Sequence, residues 1–572
     1  MRSKRLNSPG RARLWGAGRR AGLAWLICVA AGCTAAAPSG LRFYNHVPVT
    51  RVEDRLPIAK PLERPGRGTR ERLTETFLQP IRHGLLLPGE IPAHNTNSLG
   101  RVPDSSWFQN RIGVRALSAQ EVERGPGRGG PDQTKPWTVV RAKAGGTTPG
   151  FVIEDARGDR YLIKLDLLHA PEVESGAEVV AQRLLWAVGY HVPDNQVVHF
   201  ARRDLKLDAR ATRRLADGTK VAFTQAELEE LLTLTARTPG GELRAVASKY
   251  LDGEPVGGYS MQGVREDDRN DRVPHEHRRE VRAQAVFFQW LGHTDVKVDN
   301  TLDMWTEHPD KPGYGHLTHY ILDFSKALGA WGVGGYFEHD GWTARFDYLH
   351  ALGSLFTLGL WVWPWEGIEP SSLRGVGRFE ALHFQPGYYS SARPYVPFYY
   401  MDRLDALWAA DILARLRPEH IAAAVRAGRY SDPRTSAYLV ATLLARQRAI
   451  LDHWFRQVSP LSDFTVRASG NGWRVCGRDL SLAHRFADAD ATRYRIEAFD
   501  HGGAPLGHRR ELAGSPRGDI CQDGLEPAEL HDGYTLVVYT LTRANKIYPP
   551  VTVHVARDPS SGQPRVVGVE RR

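Results

Sequence analysis

The 572-residue chain is poor in cysteine, with four. Cys28 and Cys33 lie near the N-terminus, so only Cys476 and Cys521 remain for the body of the chain. Residues 1–32 contain no acid, yet carry Arg2, Lys4, Arg5, Arg11, Arg13, Arg19 and Arg20. The net charge of +10 falls to +3 without these seven, so no nucleic-acid partner is expected from the basic balance. Neither Gly-x-Ser-x-Gly nor His-Glu-x-x-His occurs, which leaves a secreted hydrolase without motif support. There is no internal repeat. Aromatic residues are plentiful, with 15 Trp, 20 Tyr and 19 Phe, and a hydrophobic fraction of 42% excludes general disorder. The length predicts two or three domains.

The N-terminal basic stretch is followed by the apolar run "AGLAWLICVAA", residues 21–31, and then Gly32-Cys33. That run is about half the ~20 residues a membrane-crossing helix needs, so residues 1–32 read as a signal peptide. Small residues directly before a cysteine resemble the bacterial lipoprotein cleavage box. The resemblance implies that Cys33 becomes the first mature residue and carries a lipid. It also implies a bacterial envelope location facing the periplasm or surface, with Thr34 favouring the outer membrane. Cleavage after "TAA", as in an ordinary signal peptide, is the alternative. Export suits a bridge between Cys476 and Cys521, which would be worth about 4 kcal/mol in the chain-entropy model. Two buried thiols are the other reading.

Residues 33–79 are Pro- and Arg-rich and are expected to be a tether, with an irregular extension over 80–136. At Trp137 the texture changes: a strand, a glycine turn and a hairpin tipped at Ala156–Asp159 are predicted. A helix follows, with Val173, Ala177, Val180, Leu184 and Val188 on one face and Gly189 as its cap. Thr224 and Glu227 form a capping-box pattern, and "RAVASKYLDG" reads as a strand entering a turn. Helical patterns dominate from about 400 to 456, with Pro433 at a first helical position. After 462 the apolar period becomes two, as in a small β-sandwich. The order predicts an α+β fold: lobes at 137–252 and 253–458, then an all-β module at 462–572.

The densest chemistry lies in "GHTDVKVDNTLD", residues 292–303. Asp295 and Asn300 stand five apart with Lys297 between them. Upstream, Lys164 lies in the strand "YLIKLD" just after Gly145, Gly146 and Gly150. Glu178 on the next helix could pair it, with Glu174 one turn earlier as competitor. Downstream, Asp323 follows an apolar strand and precedes Phe324. An EF-hand is excluded, because Lys297 and Asn300 occupy a ligand position and the glycine position.

Asp295, Lys297 and Asn300 have the spacing of the protein-kinase loop "HRDLKxxN", and Asp323-Phe324 resembles Asp-Phe-Gly. Residues 137–456 thus resemble the atypical kinase-like families: HipA-type kinases, spore-coat CotH kinases and phosphatidylinositol-kinase-related lipid kinases. The wider pattern "VPDSSWF … PHEHRRE … YSDP" resembles a bacterial lipoprotein group of unassigned function. The kinase resemblance implies a two-lobed protein-kinase-like domain using ATP and Mg²⁺ on an unknown hydroxyl acceptor. Asp295 would position the acceptor, Lys297 would touch the γ-phosphate, and Asn300 and Asp323 would bind the metal. Lys164, held by Glu178, would take the α/β-phosphates under a turn of Gly145, Gly146 and Gly150. The segment "ASKYL", including Ser248, Tyr250 and Leu251, would be the adenine hinge.

The departures are that "GGTTPG" is not Gly-x-Gly-x-x-Gly, Thr294 replaces the usual arginine, Ser325 replaces the glycine, and no Ala-Pro-Glu follows. Regulation through a phosphorylated activation loop is not implied. His275 and His277, two apart on a helix, point in different directions and suit helix-end hydrogen bonds better than zinc. The segments "LWVWPWEG" and "HFQPGYYSSARPYVPFYY" are expected to bury against the helical lobe, a sugar-binding platform being the alternative. A non-catalytic envelope scaffold on the same fold is the second functional reading.

Overall fold

A computed structural model describes residues 40–571 except 66–72, 85–89, 128, 147, 216, 332–338, 344–347 and 364. The leader and Cys33 lie outside the described residues. The fold is mixed α+β, with several sheets. Among the described residues no helix is long and apolar enough to cross a membrane.

The first body is a seven-stranded sheet. Strands β1 (Trp137–Ala142), β2 (Gly150–Glu154) and β3 (Arg160–Leu165) form consecutive antiparallel hairpins. Helix α1 (Val173–Val188) follows, then β4 (Asn195–Phe200), β5 (Leu205–Arg214), β6 (Lys220–Ala222), α2 (Gln225–Thr233) and β7 (Leu243–Lys249). The sheet order is β4-β7-β3-β2-β1-β5-β6. All pairs are antiparallel except β1 with β5. Alternation places Tyr161, Ile163 and Leu165 in an apolar core with Trp137, Phe151 and Leu243. The capping box at Thr224 and Glu227 starts α2, and Gly189 ends α1.

The second body is centred on α3 (Arg279–Leu291), the hairpin β8 (Thr301–His308) and β9 (Lys311–Ile321), and helices α4 (Arg403–Ala414), α5 (Pro418–Ala427) and α6 (Pro433–Gln457). α1 is buried on nearly every side: Val180 and Leu184 join the helical core, while Val179 packs on Val197 and Val246 of the sheet. Arg244 also bridges the bodies. It binds Asp166 within the first and the carbonyls of Gly428 and Arg429 at the end of α5.

The third body has two antiparallel sheets around one core. Strands β10 (Leu461–Ser469), β11 (Gly472–Asp479), β12 (Thr492–Phe499), β13 (Pro505–Ala513), β14 (Asp519–Leu525), β15 (Thr535–Arg543), β16 (Val551–Arg557) and β17 (Pro564–Arg571) form sheets ordered β10-β11-β14 and β13-β12-β15-β16-β17. Trp473, Ile496, Tyr539 and Val553 meet between them. Cys476 and Cys521 face each other on β11 and β14 and are joined by a disulfide.

Three features differ from expectation. Residues 40–59, read as tether, are packed: Ile58–Ala59 pairs with β9, Asp54 accepts from Ser106 N and Oγ at 2.8 and 2.7 Å, and Phe43 meets His554 edge-on. An extended segment docking through isolated anchors has no periodicity to read. The irregular extension holds the short helices Gln79–Gly84 and Ala119–Arg124 and supplies Trp107, Phe108 and Ile112 to the helical core. The aromatic segment divides: Trp365 and Tyr395 are buried, whereas Leu360, Trp361 and Val362 are exposed.

The motifs "VPDSSWF" and "PHEHRRE" converge. Trp107 stacks on His319 at 3.7 Å between centroids, lies 4.7 Å from His275, and carries the Arg278 guanidinium at 4.3 Å. His275 is held by Asp271 at 2.7 Å and by the Ser260 carbonyl at 2.6 Å. Its ring nitrogens are thus committed to hydrogen bonds.

Candidate functional site

The stretch 292–303 is positioned from both ends. α3 stops at Gly292, whose left-handed φ of 60° lets the chain turn back, and His293 N–H returns to the Phe288 carbonyl at 2.9 Å. After His293, itself buried, alternate residues are anchored: Thr294, Val296, Val298 and Asn300 are buried. Asp295 and Lys297, between them, are left partly exposed, and Lys297 Nζ lies 2.7 Å from Asp295 Oδ2. Burial would raise the Asp295 pKa, but the ammonium outweighs it and holds the carboxyl below its usual range. Asn300 gives its Nδ2 to the Asp295 carbonyl at 2.7 Å, which braces the turn. The three carboxylates of the stretch part company here. Asp299 is exposed, and Asp303 is wholly buried between Arg265 (3.2 Å) and His319 (2.7 Å).

The β8–β9 hairpin connects this loop to Asp323. Thr301 is in register with Ile321, and Leu322 N–H donates to the Asn300 carbonyl at 2.8 Å. Closing the hairpin therefore fixes Asn300 and the chain leading into Asp323 side by side. Asp323 has a φ of 58°, a left-handed conformation that aspartate tolerates better than most residues. Phe324, fully buried in the helical core, anchors the turn.

Lys164 reaches this turn from β3. Its Nζ lies 3.2 and 3.1 Å from the two Glu178 oxygens and 2.9 Å from Asp323 Oδ1. Burial alone would lower the lysine pKa, but the Asp323 and Glu178 carboxylates outweigh it and raise it. Burial likewise works against the Asp323 carboxylate, and Lys164 overcomes it, holding the group well below the usual range. The Asp323 side chain remains 40% exposed, so solvent weakens this effect. Ser325 Oγ donates to Asp323 Oδ1 at 2.8 Å, whereas Oδ2 accepts no hydrogen bond among the described residues.

Glu174 takes Thr148 Oγ1 of the glycine turn at 2.9 Å, and burial raises its carboxyl to about 7. The competition left open between the two glutamates thus divides: Glu178 holds Lys164, and Glu174 holds the turn. Gly150 is directly opposite Lys164, and a Cβ there would stand 2.1 Å from the Ile163 carbonyl. Gly145 and Gly146 both have left-handed φ, 74° and 71°.

Ser248 lies opposite Leu162 on β7. Tyr250 N–H donates to the Arg160 carbonyl at 2.9 Å, its hydroxyl accepts from Arg141 at 2.6 Å, and Leu251 is half-buried at the exit. Lys164, Glu178 and Asp323 are therefore in direct contact, and the hairpin ties Asn300 and Asp295 to Asp323. The glycine turn is adjacent through Gly150. No direct contact joins Tyr250 or Leu251 to these groups.

Three residues of the site were not singled out from sequence as contributors. Asn195 donates to Glu178 Oε1 at 3.1 Å. Lys143 caps the Gly145 and Thr148 carbonyls at 2.7 and 3.0 Å, its pKa lowered by burial and then by Lys164. Ser325 braces Asp323. Lys143 stands two residues before the glycines and Ser325 directly follows Asp323-Phe324, so both left a local signal, whereas Asn195 left none.

Among the described residues no cluster of three or more His, Cys, Asp or Glu could hold a metal alone. Of the two residues read from the sequence as metal ligands, Asp323 keeps a partly exposed carboxylate and Asn300 is buried. A cavity of about 820 Å³ lies elsewhere, between the extension, α4 and the β module. The chain matches no family model and no curated protein.

Proposed function

We propose that the chain is an exported phosphotransferase, lipid-anchored at Cys33 in the bacterial envelope. It would use ATP and Mg²⁺ on a two-lobed, protein-kinase-like domain. The observation that carries this reading is the convergence of Lys164, Glu178 and Asp323 from β3, α1 and the end of the β8–β9 hairpin. Phosphoryl transfer asks a protein mainly to position groups and to offset charge. A lysine pinned between two carboxylates at a cleft suits that task. Support also comes from the order of elements along the chain, in which the glycine turn, the lysine strand, α1 and the strand leading to Tyr250 follow one another.

The donor set fits magnesium, which takes few protein oxygens and keeps waters. Asp323 Oδ2 is uncommitted, and Asn300 uses its nitrogen, not its oxygen, to brace Asp295. Asp323 and Asn300 would hold the metal, and a bound Mg²⁺ would offset phosphate charge. Asp295, kept ionised by Lys297, would accept a hydrogen bond from the acceptor hydroxyl and orient it. Lys164 would neutralise phosphate oxygens, exchanging Asp323 for them while Glu178 keeps it in place. Lys143 adds a second cation at the turn.

The test is transfer of labelled γ-phosphate to isolated envelope fractions by the chain from Thr34. Transfer that is lost in Asp295→Asn with nucleotide binding intact supports the reading. Unaltered transfer in that variant overturns the role of Asp295. Absence of both binding and transfer would leave the scaffold reading.

A further inference from the structure

The longest uncharged part of the second body is largely exposed. Residues 348–365 contain no Asp, Glu, Lys or Arg. A nine-residue helix, Tyr348–Phe356, is followed by turns, and the side chains stand out in solvent: Leu355 is 68% exposed, Phe356 82%, Leu358 86% and Leu360 84%. Leu352, Trp361 and Val362 continue the surface. So do Leu73, Leu78 and Ile81, from a segment whose Phe77 carbonyl accepts the Tyr348 hydroxyl at 3.3 Å. An apolar surface of this continuity marks an interaction site.

Its chemistry selects the occupant. Protein interfaces pair an apolar centre with a polar rim and direct hydrogen bonds, whereas these residues offer almost nothing to bond. Thr357, Leu358, Gly359 and Leu360 donate their N–H groups to Gly353, Leu355, Ser354 and Thr357 carbonyls at 2.9–3.2 Å. The Thr357 hydroxyl also bonds the Gly353 carbonyl, at 2.8 Å. The N–H groups of this turn are satisfied within it and charge is absent, both of which hydrocarbon favours.

Trp363 and Trp365 stack at the base, 5.0 Å between centroids, and tryptophan favours the headgroup level. Nine helical residues cannot span a bilayer, so the segment would lie in one leaflet. A lipid on Cys33 would hold Gly40, seven residues on, within about 25 Å of a membrane.

We propose that the apolar segment 352–362 seats in a lipid bilayer surface, as a membrane contact separate from any lipid on Cys33. The inference does not depend on the phosphotransferase reading. It does have a consequence for that site. Trp365 packs near Trp342 (6.2 Å between centroids), and the adjacent Gly341 faces the Thr294 methyl next to Asp295. The seated segment is therefore rooted beside the candidate acceptor position.

The chain from Thr34 keeps every described residue and, lacking Cys33, cannot be lipidated. It is floated with vesicles of phosphatidylethanolamine and phosphatidylglycerol, and again with phosphatidylcholine, in low salt and in 0.5 M NaCl (about three times physiological ionic strength). The same is done for Leu355→Ser/Phe356→Ser/Leu358→Ser/Leu360→Ser, whose altered side chains are exposed, with melting temperature as the check on folding. Co-flotation with both vesicle types that survives salt and falls at least ten-fold in an equally stable variant is expected. Failure of the parent chain to float overturns the proposal. So does flotation abolished by salt, or equal flotation of the variant. A vesicle-free dimer that the four substitutions dissolve would assign the surface to a second copy and overturn it too.

Discussion

Lys164 Nζ and Asp323 Oδ1 stand 2.9 Å apart although 159 residues separate them. One lies on a sheet strand and the other at the end of a hairpin in the helical body. Their contact joins the two bodies, with Glu178, 2% exposed, as the lysine's other partner. A ligand with phosphate oxygens and a cation would have to replace this ion pair with two separate interactions.

Removing the lysine should be costly to the fold. Lys164→Met leaves Glu178 buried with only Asn195 and the Phe324 N–H for company. Loss of one partner of a buried pair costs about 3–5 kcal/mol. Urea unfolding should show a loss of that order, partly restored in Lys164→Met/Glu178→Gln. An unchanged midpoint in the single variant would mean the pair contributes nothing.

Two buried groups set opposing pH dependences. Burial lowers His293 to about 4, so its contribution is present above its ordinary value near 6.5 and is lost as pH falls towards about 4. Glu174, raised to about 7, contributes below its ordinary value near 4.5 and loses that as pH rises to about 7. The two nearly cancel between about pH 4.5 and 6.5. Glu174→Gln should therefore show stability falling on acidification, by up to about 1.4 kcal/mol per pH unit. His293→Asn should show the reverse slope. Parallel curves for both variants would contradict the assignment.

Gly150 tests the close approach at the lysine strand. An alanine there must push β2 from β3 beside Lys164, because the Ile163 carbonyl cannot yield as a side chain would. Gly150→Ala should lower stability by roughly 1–3 kcal/mol and Mg-ATP affinity at least ten-fold. Gly145→Ala, with open space at its Cβ but a left-handed φ, should cost only about 1 kcal/mol. Equal effects would remove the steric explanation.

The disulfide joins strands of one sheet across 45 residues of sequence. Replacing both Cys476 and Cys521 by alanine should cost the β module about 4 kcal/mol in the chain-entropy model. Calorimetry with and without reductant should shift the parent chain and leave the double variant unmoved. A parent chain insensitive to complete reduction would contradict this.

Much of the candidate site could be read in order along the chain, because its parts depend on local pattern. The alternation of Thr294, Val296, Val298 and Asn300 sets which way Asp295 and Lys297 face, and the helical spacing of α1 limits the lysine's partner to Glu174 or Glu178. That spacing could not choose between them, since residues four apart share a face. The choice is made by the glycine turn, through Thr148. Strands β5 and β6, which extend the sheet through a parallel pairing to β1, depend on distant register and left no local sign. Residues 40–59 were hidden because isolated anchors such as Ile58 and Phe43 have no period. The opposite error fell on Leu360, Trp361 and Val362, where apolar character implied burial. Hydrophobicity states a preference for leaving water, and it does not say that the chain itself provides the cover.

The most direct measurement is calorimetric titration of Mg²⁺ and ATP into the chain from Thr34, alongside Asp323→Ala. Metal-dependent binding in the parent, weakened at least thirty-fold in the variant, is the predicted result. Absence of binding at millimolar ATP (about −4 kcal/mol or weaker), or equal binding by the variant, would contradict a nucleotide site built on Lys164 and Asp323.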